Sequence, residues 1–138
     1  MDTRMKTTML SVRTGRLERV VDLTPDAVQF VTGSGDGLLS VFVPHATAGL
    51  AILELGSGSG PDLLAALAEL LPADKRWRHA HGSPGHGRSH VMPAFIPPTL
   101  TVPVLDGRLA LGTWQSIALV DLNVDNPDRT VRLSFLAG

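Results

Sequence analysis

The stretch Leu100-Thr101-Val102-Pro103-Val104-Leu105-Asp106-Gly107-Arg108-Leu109-Ala110-Leu111 decides the fold. Two β-type runs flank Asp106-Gly107, a two-residue turn in which both central positions tolerate positive φ, so the segment reads as an antiparallel hairpin. Toward the C-terminus, Trp114 to Leu122 and Thr130 to Leu136 supply two more strands, separated by the polar turn Asn123 to Asp128. Toward the N-terminus, Leu38 to Val43 is β-type until Pro44 limits its ladder, and Ala46 to Glu54 reads as its continuation or partner. Thr7 to Arg13 has the alternation of an edge strand, and Leu17, Val20, Val21 and Leu23 continue in short apolar steps.

Two short helices interrupt these strands. Thr24 is an N-cap type, Pro25 fits the first helical position and Asp26 favours the positive end of the dipole, predicting a helix from Pro25 to Thr32 stopped by Gly33 and Gly35. Gly56-Ser57-Gly58-Ser59-Gly60 reads as a flexible hinge that delivers Pro61 and Asp62 to a second helix, Leu63 to Leu71, ended by Pro72. Its leucines 63, 67, 70 and 71 share one face, which suits packing on a sheet. The fold class is therefore α+β, a mainly antiparallel β-sandwich-like core with two short helices. No internal repeat and no second core is visible, so residues 1–138 are expected to form a single domain.

The composition removes several function classes. The chain has 138 residues, 12 basic against 13 acidic, a formal charge of −1 and no cysteine. Disulfide scaffolds, Cys-ligated zinc, iron–sulfur clusters and cysteine nucleophiles are excluded. Near-neutral charge argues against a protein held to nucleic acid or anionic lipid by overall charge. No apolar run approaches the ~20 residues of a membrane helix, and no signal-type segment follows Met1-Asp2-Thr3-Arg4-Met5-Lys6, so a cytoplasmic location is expected. Trp77 and Trp114 are too few for a base-stacking surface and read as packing residues.

The chemistry concentrates in histidines. His79, His81, His86 and His90 fall within twelve residues of an irregular segment from His79 to Pro98, and the fifth, His45, follows Pro44 at the end of a β run. Imidazole binds metals and titrates near neutrality, so the cluster is a candidate metal or acid/base site, with a solvated polar loop as the alternative. His86 and His90 are four apart, but Gly85 and Gly87 argue against a metal-binding helix. Glu54 ends the apolar run Leu50-Ala51-Ile52-Leu53, where a strand or hairpin could bring it to one rim with His45. Asp121, at the end of Ile117-Ala118-Leu119-Val120, reads as a candidate acid or a strand terminus. The Gly-Ser run lacks the lysine and hydroxyl of a phosphate loop, and Gly33-Ser34-Gly35-Asp36-Gly37 follows a helix rather than the strand a dinucleotide site needs.

These residues resemble a known family. Pro44-His45-Ala46-Thr47-Ala48-Gly49-Leu50 is similar to the "PHTTAG" segment of the YjbQ-like proteins, also called secondary thiamine-phosphate synthases. Gly107-Arg108-Leu109-Ala110-Leu111-Gly112-Thr113-Trp114-Gln115 is close to the family's "GRLALGTWQ". His79 and His90 match its "Y-x-H … A/S-H" pair, Trp77 takes the aromatic place, and Arg129 before Val131 fits its terminal "R-x-V" strand. The likeness implies a small α+β protein, commonly a homotrimer, with a polar pocket near subunit contacts. It also implies that some members join a pyrimidine diphosphate to a thiazole phosphate, displacing pyrophosphate.

Carried over by position, His45, His79 and His90 are site candidates, with Glu54 at the acid that ends the family's "I-N-E". Read as chemistry, His45, His79 and His90 are the expected metal ligands, and Glu54 and His86, the latter standing where the family has Asp or Asn, are the expected catalytic residues, with His86 also a candidate fourth ligand. The cofactor expected from the imidazoles is a divalent metal such as zinc; the expected partners are further copies of the chain and a small phosphorylated ligand. The departures are Gly85 and His86, where members carry an acid followed by Asp or Asn, Met92 in place of lysine, and Leu53 in place of Asn. The alternative to metal-dependent phosphate chemistry is a non-catalytic oligomer that binds a small anion.

Overall fold

The Asp106-Gly107 turn forms where the sequence puts it. In the computed structural model, which describes residues 4–138, Asp106 has φ 52° and Gly107 φ 70°, with Val104 opposite Leu109 and Leu105 opposite Arg108. The elements, in chain order, are β1 (Met5–Arg13), β2 (Arg19–Asp22), α1 (Thr24–Val31), β3 (Gly37–Phe42), β4 (Ala48–Leu53), α2 (Ser59–Leu70), α3 (His86–Ser89), β5 (Thr99–Leu105), β6 (Arg108–Leu109), β7 (Ser116–Asp121) and β8 (Asp128–Ala137). A 3-10 turn, Met92–Ala94, follows α3.

The described strands form two antiparallel sheets, one of five in the order β1-β8-β3-β5-β6 and one of three in the order β2-β7-β4. Period-two alternation turns Leu39, Val41, Val102, Val104, Val131, Leu133 and Phe135 of the larger sheet onto Leu50, Ile117 and Leu119 of the smaller, and Ala27 and Val31 of α1 join them. This is the sandwich core. The smaller sheet is covered on its second face as well, where Val120 meets Leu67, Leu71 and Met92 under α2. Burial on both faces explains why Ile117-Ala118-Leu119-Val120 is an unbroken apolar run instead of an alternating one. Among the described residues the larger sheet is covered on one face only, and on the other Leu136 lies between Met5 and Leu38, each about half exposed.

The structure corrects four local readings. The strand β4 is neither a continuation nor a partner of β3, because it crosses to the other sheet and pairs with β7. The expected hinge is half helix: α2 starts at Ser59, Asp62 N–H closes its first turn on the Gly58 carbonyl at 3.0 Å, and buried Gly60 packs beside Val20 and Leu55. Thr24 does not cap α1; its hydroxyl accepts the Ile117 N–H at 2.9 Å and ties the helix to β7. A third helix, α3, replaces part of the irregular segment and carries His86.

Candidate functional site

Four imidazoles meet beside the loop that enters β8. His79 and His81 come from the segment after α2, while His86 opens α3 and His90 follows its last residue. A four-residue helix has no stability of its own, so its position depends on tertiary contacts. Gly87 supplies one of them, because a Cβ there would stand 2.2 Å from the His79 carbonyl oxygen and 2.8 Å from the Trp77 Cβ. Arg88 supplies another: buried, it donates from Nη1 to the Leu71 carbonyl at 3.0 Å and pairs through Nη2 with Glu18.

The resulting geometry is tight. Nε2 of His79 lies 2.6 Å from Nε2 of His81, and Nε2 of His90 lies 3.1 Å from Nε2 of His86. His79 stacks on His90 with ring centroids 3.9 Å apart. One ligand atom each from His79, His81 and His86 fall within 4.8 Å of one another, so these three could hold a metal ion. Behind them, Asp125 sets an Oδ2 atom 3.0 Å from His86 Nδ1, and its carboxylate is fixed by the Ser83 N–H at 3.0 Å and the Ser83 hydroxyl. Those hydrogen bonds hold the Asp125 carboxyl below the ordinary carboxylate range. Loss of hydration, then the neighbouring imidazoles, pushes the pKa of His79 and of His90 down.

The histidines share a pocket of about 380 Å³ with His45, Thr47, Asn126 and Arg129. His45 spends Nε2 on β8, accepting the Thr130 N–H at 3.0 Å, and burial lowers its pKa, with the Arg129 charge adding to the effect. Arg129 is buried with Asp121: Nε donates to Oδ2 at 2.7 Å and Nη2 to Oδ1 at 2.9 Å. Nη2 also reaches the Thr47 hydroxyl at 2.8 Å, leaving Nη1 without a partner among the described residues.

The sequence-expected residues therefore separate into two groups. His45, His79, His86 and His90 come together, joined by His81. Glu54 does not, because β4 runs straight between it and the His45 end, roughly 17 Å for five residue steps. It accepts the Ser57 hydroxyl at 3.1 Å instead. Met92, at the family's lysine position, is fully buried under α2 and faces the core rather than the pocket. Trp114 does not pack: it is 72 % exposed, on a loop where Gln115 Oε1 accepts the Gly112 N–H at 2.7 Å. Sequence reasoning missed Asp125 and Ser83, which sit 42 residues apart with no motif joining them. The Asp121–Arg129 pair had a signal, an acid closing a buried run and an arginine opening the next strand.

The family model described as UPF0047 protein YjbQ-like matches residues 8–138. The UPF0047 protein Rv2556c of Mycobacterium tuberculosis is 60% identical over 134 residues, covering 97% of this chain and 100% of that protein. A crystal structure of a YbjQ-like protein from Sulfolobus solfataricus superposes with a TM-score of 0.89 at 28% identity, covering 97% of this chain and 98% of that one. The hypothetical protein APE1520 of Aeropyrum pernix gives 0.86 at 32% identity, covering 96% and 99%.

Proposed function

The chain belongs to the YjbQ-like UPF0047 family, and from that premise we propose that its histidine pocket is a divalent-metal site, zinc by ligand chemistry, acting on phosphate esters. The observation that carries this is the convergence of His79, His81 and His86 within 4.8 Å, with His90 beside them. Lost hydration and the neighbouring rings favour the neutral form of His79 and His90, and neutral imidazole nitrogens are zinc donors. Asp125 Oδ2 stands 3.0 Å from His86 Nδ1, so its negative charge lies behind a ring whose Nε2 faces the other histidines and favours a cation bound there. His86 thus fits the ligand set. His45, with only Nδ1 uncommitted, is assigned to the pocket wall.

Charge argues for the ion. Arg129 and Asp121 cancel, so the protein alone offers a phosphate dianion little net attraction. Held by His79, His81 and His86, a divalent ion would supply that charge and lower the pKa of a bound water. Arg129 Nη1 takes a phosphate oxygen, and His90 accepts the proton of the attacking water. The water oxygen bonds to phosphorus, the ester P–O bond breaks, and the alcohol leaves with that electron pair and a proton from solvent. The weak thiamine-phosphate synthase activity implied by the family likeness is assigned to the same pocket: the thiazole nitrogen bonds to the pyrimidine's methylene carbon as that carbon's C–O bond breaks, and pyrophosphate leaves with the electron pair.

Dialysed protein is expected to retain about one zinc per chain by elemental analysis and to lose it in His86→Ala. Less than about 0.3 equivalents in the parent protein overturns the metal reading. The non-catalytic alternative gains from Gly85 and Met92, which bring no charge to the pocket. It predicts zinc and anion retention with no turnover of p-nitrophenyl phosphate, or of the two thiamine precursors with Mg²⁺. Self-association, as the family likeness implies, is part of the proposal; the open face of the larger sheet supports it.

A further inference from the structure

A second cavity, of about 620 Å³, adjoins the histidine cluster. It shares His79 and His81, and no other residue, with the Arg129 pocket. Trp77, Ala80 and Pro84 give it apolar walls, with the charged Asp74 and Lys75 also lining it. Two polar anchors set its walls: the Trp77 indole N–H donates to the Pro72 carbonyl at 2.8 Å, and Ser83 is held by Asp125 from below. The volume is that of a small-molecule site, and preformed apolar walls with few polar groups are what an organic ligand fragment requires.

From this juxtaposition we infer that the substrate spans both cavities, as a phosphate monoester of a compact, largely apolar or aromatic alcohol. The phosphate sits between Arg129 and the histidines, and the carbon portion lies against Trp77, Ala80 and Pro84. The inference rests on the phosphate reading above and adds the alcohol. Small polar alcohols leave the apolar walls wet and gain nothing from them. Ala80 is exposed and lines this cavity, so a larger side chain there narrows it without entering the core.

The test separates the two readings. Trp77 and Trp114 are the only tryptophans, so Trp114→Phe, a change at an exposed site, leaves Trp77 as the sole indole reporter. In that zinc-loaded background, phenylphosphonate is expected to change Trp77 fluorescence saturably, while methylphosphonate does not. Adding Ala80→Phe is expected to weaken phenylphosphonate at least about tenfold, with inhibition by inorganic phosphate altered less than about twofold. Hydrolysis of p-nitrophenyl phosphate should exceed that of glycerol 2-phosphate in kcat/KM by about tenfold or more, and Ala80→Phe should reduce this advantage through KM. No saturable Trp77 response, or equal phenylphosphonate affinity in Ala80→Phe, overturns the alcohol subsite. A normal Trp77 response without hydrolysis of either ester keeps the subsite and overturns the hydrolytic reading instead.

Discussion

At the scale of single residues, the pocket floor is a buried ion pair whose cost has already been met by its hydrogen bonds. Asp121 and Arg129 are both essentially inaccessible and joined through two N–H···O contacts. Removing one partner leaves an uncompensated charge, so Asp121→Asn should lower stability by about 3–5 kcal/mol, read from urea unfolding. A loss below about 1 kcal/mol would show that the pair is better hydrated than its burial implies. The imidazoles make a pH prediction of definite sign. His45, His79 and His90 have folded pKa values below the ordinary one, chiefly through lost hydration. Above about pH 6.5 they are neutral in both states and their contribution is complete. As pH falls from there through the folded values, the unfolded chain binds more protons and stability is lost. The urea midpoint of metal-free protein should therefore drop between pH 7.5 and 5; a constant midpoint contradicts this. Of the site, the histidines were legible because their residue type carries the chemistry. Asp125 was not, since a carboxylate earns its role only from the ring it faces.

At the scale of elements, what the chain reveals depends on where each element's stability comes from. The Asp106-Gly107 hairpin is a local matter of backbone sterics, and it was readable. The start of α2 was not, because Ser59 and Gly60 are poor helix formers kept helical by contact with β2. Nor was α3, whose glycines argue against a helix until Gly87 is seen pressed on the His79 carbonyl. That contact gives a test: Gly87→Ala should displace α3, weakening zinc by roughly 10–100-fold as loss of a supporting contact does. The two sheets lie away from this turn, so far-ultraviolet circular dichroism should remain β-rich. Unchanged zinc affinity would mean that α3 reaches the cluster by another route.

At the scale of the whole molecule, the α+β class and antiparallel strands were legible, but the division of strands between sheets was not. Nothing in Leu38 to Val43 or Ala46 to Glu54 says that the chain changes sheet between them, since each run is apolar enough for either. The division leaves one asymmetry. The smaller sheet is covered on both faces, whereas the larger exposes Met5, Leu38 and Leu136 in neighbouring positions of adjacent strands. Sedimentation at micromolar concentration should give the mass of a trimer; a monomer at that concentration removes the expected assembly. The doubly covered β7 has a separate consequence, concerning time. Amide protons of 117–120 should exchange with deuterium only when the entire molecule opens, and those of 79–86 far sooner. Asp121 ends the slow strand and the histidines ride the fast segment, so one wall of the pocket keeps the lifetime of the native state while the other breathes.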